Sequence, residues 1–297
     1  MVGAALIGAA LALGLGAPVV WKWELGLRRC AVAGIAFAVV SALAVTALDA
    51  AVGLPRVAVT AAVAVLTLSL AAITLLWRFY RDPERTAPTA DDVVVSPADG
   101  VVIYVRRSEG GRLPVATKHG RPYALHELVR TPLSTGDAIV VGIALSFLDV
   151  HVNRAPIAGA VTAQRRHPGR FGSLKDPAAV FTNERTTTVL DRPGLQVAVV
   201  LIASRLVRRI VSYVREGEDV GLGQRIGVIR FGSQVDLVLP DRDDVQVLVR
   251  PGRRVVAGET VLARVASGAS GNGAVDRSAA RALVSQAGSR DPAGGAR

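Results

Sequence analysis

Aromatic residues are scarce in this chain. Phe, Tyr and Trp make up 4% of its 297 residues while 51% are hydrophobic, so the apolar excess is carried by Ala, Val and Leu. That imbalance points to membrane segments and leaves a soluble part smaller than the length suggests. Cysteine is nearly missing: Cys30 stands alone, which excludes an intramolecular disulfide, and its place at the edge of an apolar run makes lipid-facing packing its default. Acidic residues are the minority charge, 24 against 35 basic, and leave +11. This excess suits apposition to an anionic membrane surface. No aromatic-interleaved basic helix or zinc-finger spacing supports a nucleic-acid partner. In HELVR the fifth position is Arg130 rather than a histidine, so there is no zinc signature and no metal is expected. A solvated loop is the expectation for His119 and His126.

Three apolar runs open the chain. Val2–Trp21 is rich in Ala and Gly and contains Pro18, whereas Cys30–Leu48 and Val57–Trp77 carry no charge. A span needs about 20 apolar residues, so the second and third qualify. The first reads as a span, a signal-like segment or a surface helix; it lacks a basic leader, and Lys22, Arg28 and Arg29 follow it. Arg78, Arg81 and Arg85 follow the third run, and the Asp49–Arg56 connection has one charge of each sign. By the positive-inside rule the first connection and everything after Trp77 are cytoplasmic, with Trp21, Trp23, Trp77 and Tyr80 at that interface.

The rest of the chain alternates like strands. Val93–Tyr104, VVVSPADGVVIY, reads as strand, tight turn, strand. Ala138–Ala160 gives an apolar strand, a polar break holding His151 and a turn at Pro156. Arg165, Arg166, Arg170 and Lys175 lie in a basic Gly-Pro loop, either solvated or facing a lipid phosphate or anionic surface. Val245–Val265 has strand runs punctuated by PG and AG, and from Ser267 onward the composition is that of a disordered tail. Arg225–Pro240, RIGVIRFGSQVDLVLP, reads as two short strands meeting at Gly232-Ser233. A glycine in a strand pattern marks a bulge or a close backbone approach. The residues alone leave open a bulge at a sheet edge and a site where a hydroxyl lies near an unshielded carbonyl.

GQRIGVIRFGSQVDLVLP resembles the processing segment of the phosphatidylserine decarboxylase family in its shorter form, in which a Gly-Ser bond cleaves itself and the serine becomes a pyruvoyl group. RDPER, SPADG, LDVHVNRAPIAG and the PGRF and NER wording extend the likeness from about Arg81 to Val265. On that resemblance Ser233 is the nucleophile and cofactor precursor, Gly232 supplies the scissile carbonyl, Asp99 is the acidic partner of a histidine, and His151 is the catalytic histidine. Two positions depart from longer members: Arg154 replaces a second histidine, and Gln234 replaces a small hydroxyl residue after the serine.

The resemblance implies pyruvoyl-dependent decarboxylation of phosphatidylserine to phosphatidylethanolamine, with residues 1–232 and 233–297 forming a β and α fragment pair. No lysine context for pyridoxal phosphate competes with this reading. A third reading, a serine hydrolase, needs a nucleophile elbow, and the residues around Ser233 do not form GxSxG. The alternative is a membrane-anchored β domain that binds lipid without cleaving or turning over; a homo-oligomer is left open. The expected architecture is a membrane anchor over 1–80, a mainly β, sandwich- or barrel-like catalytic domain over 81–266, and a tail over 267–297.

Overall fold

Uncharged apolar runs satisfy their own backbone only as helices in a bilayer, and the three runs do form helices: α1 (Val2–Lys22), α2 (Leu27–Val52) and α3 (Arg56–Tyr80). The computed structural model describes residues 2–22, 25–113, 123–134, 136–174, 179–204, 210–229 and 233–266. Each of the three helices is long and apolar enough to cross a membrane. They pack through small residues, with Ala4 and Ala5 of α1 against Val59 and Val63 of α3 and Val45 of α2, while Leu6, Leu43 and Val65 face outward. Leu25, in the α1–α2 connection, packs with Phe79 and Phe147. That connection, the end of α3 and part of the β domain therefore lie at one end of the helices.

The β domain runs β1 (Val93–Val95), β2 (Gly100–Arg107), β3 (Arg112–Leu113), β4 (Tyr123–Ala124), α4 (Leu125–Val129), β5 (Ala138–Leu145), β6 (Val152–Arg154), β7 (Gly159–His167), α5 (Ala179–Thr182), β8 (Arg185–Arg192) and β9 (Leu195–Ile202). It continues through β10 (Ile210–Ser212), β11 (Asp219–Val220), β12 (Arg225–Ile229), β13 (Ser233–Pro240), β14 (Val245–Val247), β15 (Arg254–Val255) and β16 (Val261–Val265). Eight strands form a curled antiparallel half-barrel in the order β11-β7-β8-β9-β13-β5-β2-β15. Two three-stranded sheets, β1-β16-β14 and β10-β12-β6, and the pair β3-β4 complete the described strands. Residues 1–265 form one unit; the second unit, Ala266–Arg297, has only Ala266 among the described residues, so the expected tail lies outside them.

The mainly β architecture behind apolar helices matches the expectation, with corrections of detail. β1 and β2 are strands as read, but they join different sheets. His126 sits on a short helix rather than in a loop, because Leu125, Leu128 and Val129 recur at helical spacing and are buried; His119 lies outside the described residues. β13 is no edge strand: it pairs with β5 from Ser233↔Leu145 to Pro240↔Ala138 and with β9 from Gln234↔Ile202 to Val238↔Ala198.

Period-two alternation sorts the core. Ile139, Val141, Ile143 and Leu145 of β5 join Val235, Leu237 and Leu239 of β13 on one face, whereas Ala138, Val140 and Val238 meet α4 and α5 on the other. Both faces are covered, which is why AIVVGIAL reads as an unbroken apolar run. The second face also buries polar groups. The Tyr104 hydroxyl donates to Asp236 Oδ2 at 2.7 Å, and Gln234 Nε2 donates to that hydroxyl and to Asp236 Oδ1, each at 2.7 Å. Gly142, opposite Asp236, leaves room for the tyrosine ring, since a Cβ there would stand 2.4 Å from it.

Burial pushes the Asp236 carboxyl up to about 6, against hydrogen bonds from Gln234 and Tyr104 that lower it. A carboxyl whose pKa rises on folding contributes stability that is full below about 4 and lost as pH rises through 6. The native chain should therefore lose on the order of 2–3 kcal/mol between pH 4 and 6 relative to Asp236→Asn, read as the difference between their detergent-solubilised melting curves across that range.

Candidate active site

The site is built where β5 ends. Ser146 turns the chain: its N–H and Oγ donate to Asp149 Oδ2 at 2.8 and 2.7 Å, and Asp149 N–H returns a bond to the Ser146 carbonyl at 3.1 Å. Asp149 is buried and also pairs with Arg254. This tight turn presents the Asp149 carbonyl to His151 Nδ1 at 2.8 Å. A carbonyl only accepts, so in the neutral ring Nδ1 carries the hydrogen and Nε2 keeps its lone pair. That Nε2 is buried and has no hydrogen-bond partner among the described residues.

Helix α3 covers the imidazole. The Phe79 ring, from the last turn of α3, lies 4.5 Å from the His151 ring and 5.1 Å from the Phe147 ring. Burial lowers the His151 pKa from 6.5 to about 4, aided by the Arg81 charge and opposed by Asp149, through its hydrogen bond and charge, and by Asp99. The ring is therefore a neutral base at physiological pH.

Asp99 stands in the SPADG turn, whose glycine is required by geometry. Gly100 has φ 148° and a Cβ there would meet the Ala144 carbonyl at 2.2 Å. Asp99 takes a hydrogen bond from Ala257 N–H at 2.8 Å and an ion pair from Arg85 Nη2 at 3.0 Å. It acts on His151 through charge, and the imidazole's hydrogen bond is to the Asp149 carbonyl. Arg154, where longer members were read to carry a second histidine, is buried and clips Gly223 O, Pro83 O and Asp82. Arg225 pairs with Asp82 and Glu84, so the RDPER segment is tied to β6 and β12.

The strands on either side of residues 230–232 both meet this turn. Ile229 N–H donates to the His151 carbonyl at 3.1 Å as β12 pairs with β6, and Ser233 opens β13 opposite Leu145, the residue before Ser146. Residues 230–232 connect these two anchors, so Gly232 lies outside the described residues and Ser233 is described by its backbone position alone. Ala144 is paired with both Gln234 and Val101, which brings the Asp99–Gly100 turn to the same end of the sheet. Among the basic-loop candidates, Arg165 pairs with Glu216 and Arg166 with Glu184, while Lys175 lies outside the described residues. No metal-binding cluster of His, Cys, Asp or Glu occurs among the described residues.

Sequence reasoning missed Asp149, Arg85 and Phe79. Asp149 stood two residues before His151 in a quoted motif; Phe79 sits at the end of an apolar run, where nothing distinguishes a ring facing lipid from one facing the site.

The site combines a mainly β domain behind three apolar helices, a buried imidazole whose Nε2 has no partner among the described residues, and a strand that opens at Ser233. The family model of phosphatidylserine decarboxylase matches residues 73–263. Phosphatidylserine decarboxylase proenzymes of Pelobacter propionicus and Mycolicibacterium gilvum are 42% and 45% identical over 188 residues, 63% of this chain and 75% and 73% of theirs. That of Erythrobacter litoralis is 41% identical over 221 residues, 70% of this chain and 84% of its own. The chain belongs to the phosphatidylserine decarboxylase family.

Replacing Phe79 by Ala should admit water to the imidazole and return its pKa from about 4 toward 6.5. With four histidines in the chain, a histidine-labelled NMR titration of the Ser233→Ala protein in detergent resolves the shift; an unmoved His151 would assign its low pKa to other walls.

Proposed function

We propose that this chain is a self-cleaving proenzyme whose product decarboxylates phosphatidylserine to phosphatidylethanolamine with a pyruvoyl group made from Ser233. The observation that carries this reading is Nε2 of His151, buried without a partner among the described residues, on a residue whose carbonyl takes the Ile229 N–H at the end of the strand that precedes Gly232-Ser233 in the chain. A buried base without a partner among the described residues costs free energy; a role in a reaction accounts for its being kept, and it fits the formation of a pyruvoyl group from the nearby serine.

In the proposed cleavage, His151 Nε2 takes the Ser233 hydroxyl proton as Oγ attacks the Gly232 carbonyl. The peptide C–N bond breaks, an ester forms, and the proton passes to the Ser233 amine. A base then removes the Ser233 α-proton and the Cβ–O bond breaks, releasing the Gly232 carboxylate. Hydrolysis of the resulting enamine loses ammonia and leaves the ketone, with no oxidant required. The pyruvoyl ketone supplies the electron sink that loss of carbon dioxide from an amino acid needs.

His151 can serve turnover too. A substrate carboxylate arriving beside the ring raises its pKa by opposite charge, so the imidazole gains a proton while the carboxylate is present. Departure of neutral carbon dioxide removes that partner, and the proton is delivered to the α-carbon. Asp99 tunes the charge of this site in concert with Arg85.

We assign residues 1–80 to the anchor, 81–266 to the catalytic domain and 267–297 to a tail. Arg28 and Arg29 at the start of α2, with Arg81 and Arg85 after α3, support a multi-pass protein of the cell membrane with its catalytic domain on the cytoplasmic side. The two fragments remain together as a heterodimer because β13 is hydrogen-bonded on both sides by strands of the other fragment.

Intact mass spectrometry of the protein purified from membranes tests the reading. Two fragments dividing after Gly232 are expected, the smaller lighter by one ammonia than a serine-started peptide, and Ser233→Ala should leave one chain and no carbon dioxide release. A single uncut native chain would make the lipid-binding, non-cleaving module the better reading. Because the neutral imidazole is the active form, the cleavage rate should hold from neutral pH down to about 5 and fall as pH approaches about 4; a decline centred at 6.5 would point to a solvent-exposed base instead.

A further inference from the structure

We propose that Arg81 binds the phosphodiester anion of the lipid substrate, making the end of α3 a headgroup-binding element as well as a tether. The inference rests on the phosphatidylserine reading and deepens it.

Arg81 is the first residue beyond α3, with an extended backbone at φ −63° and ψ 141°. Exposed Trp77 and Tyr80 lie within the preceding turn, and such aromatics mark the level of lipid headgroups. Two residues before Arg81, the Phe79 ring covers His151. A lipid whose phosphate sits at the level of Tyr80 therefore has its serine moiety directed at the imidazole.

The charges around Arg81 are otherwise settled. Arg85 pairs with Asp99, Arg154 and Arg225 with Asp82, and Arg254 with Asp149. Asp99 and Asp149 both act electrostatically on Arg81, yet each is already held by another arginine. Among the described residues Arg81 forms no ion pair; its Nη1 donates to the Arg78 carbonyl at 2.6 Å. The side chain is half-buried, and burial lowers its pKa, helped by the Arg78 charge. A cation partly withdrawn from water without a counter-ion is costly. A guanidinium has five N–H donors in a fixed fork, a geometry that suits phosphate oxygens.

The test uses the full chain in neutral-detergent micelles containing increasing mole fractions of phosphatidylserine. Arg81→Gln should still give the two fragments and should lose about 10- to 100-fold in kcat/KM, mostly through KM, as expected for losing a charged hydrogen bond. Arg81→Lys, which keeps a point charge but not the fork, should recover part of the loss. Phosphatidic acid, which has the phosphate but no carboxylate or amine, should compete with substrate for the native enzyme and far less for Arg81→Gln. Unchanged KM and unchanged phosphatidic acid inhibition in Arg81→Gln would overturn the proposal. If the native chain neither cleaves nor releases carbon dioxide, the functional reading fails separately. Native mass spectrometry of phosphatidic acid bound to Ser233→Ala, with and without Arg81→Gln, then decides Arg81: equal binding overturns the assignment and weaker binding sustains it.

Discussion

Everything in this molecule leans on the double pairing of β13. Its backbone is hydrogen-bonded to β5 on one side and β9 on the other, so the residue that opens it, Ser233, stands at a position no side-chain motion can shift. The same pairing sets Leu145 opposite Ser233 and so starts the Ser146–Asp149 turn at that point. That turn in turn fixes His151 through a backbone carbonyl, a contact that substitution of a side chain cannot remove directly. A chain cut before β13 would still have both sheet faces buried, because the interactions that hold the strand are ladder bonds and packing rather than the covalent link.

The second constraint is the junction between membrane and β domain. The RDPER segment is held by Arg154 and Arg225, Leu25 and Phe147 pack around Phe79, and Phe79 closes over the imidazole. Helix α3 therefore supplies a wall of the site. Low local dielectric there depresses the histidine pKa, which keeps the ring a base, and also strengthens whatever charge a bound lipid brings.

Much of this was legible in order of residues. Charge-free runs of sufficient length can cross a bilayer only as helices, VDLVLP has the alternation of a strand, and AIVVGIAL has the length and branched composition of a strand buried on both faces. The SPADG, LDVH and FGS wording also marked which residues to watch. Other features were not legible because they depend on contacts between distant segments. HELVR reads as a polar loop until its three apolar residues are given a sheet face to cover. SPADG reads as a hairpin turn, but β1 and β2 diverge into separate sheets. Asp99 reads as an acidic partner that orients or charges the histidine, and which of the two applies depends on Arg85 and Ala257, distant in sequence, which occupy its oxygens and leave it a charge effect.

The amino-acid order by itself determined the element types, the membrane segments, the basic flanks and the family-like residues, because each depends on local periodicity, hydrophobicity or wording. The tertiary structure alone decided that β13 is central, that Nε2 of His151 is buried under Phe79 of α3 with no partner among the described residues, and that Arg81 forms no ion pair among them. Those properties follow from which charges and rings meet across the chain, and desolvation and pairing are set by neighbours in space rather than in sequence.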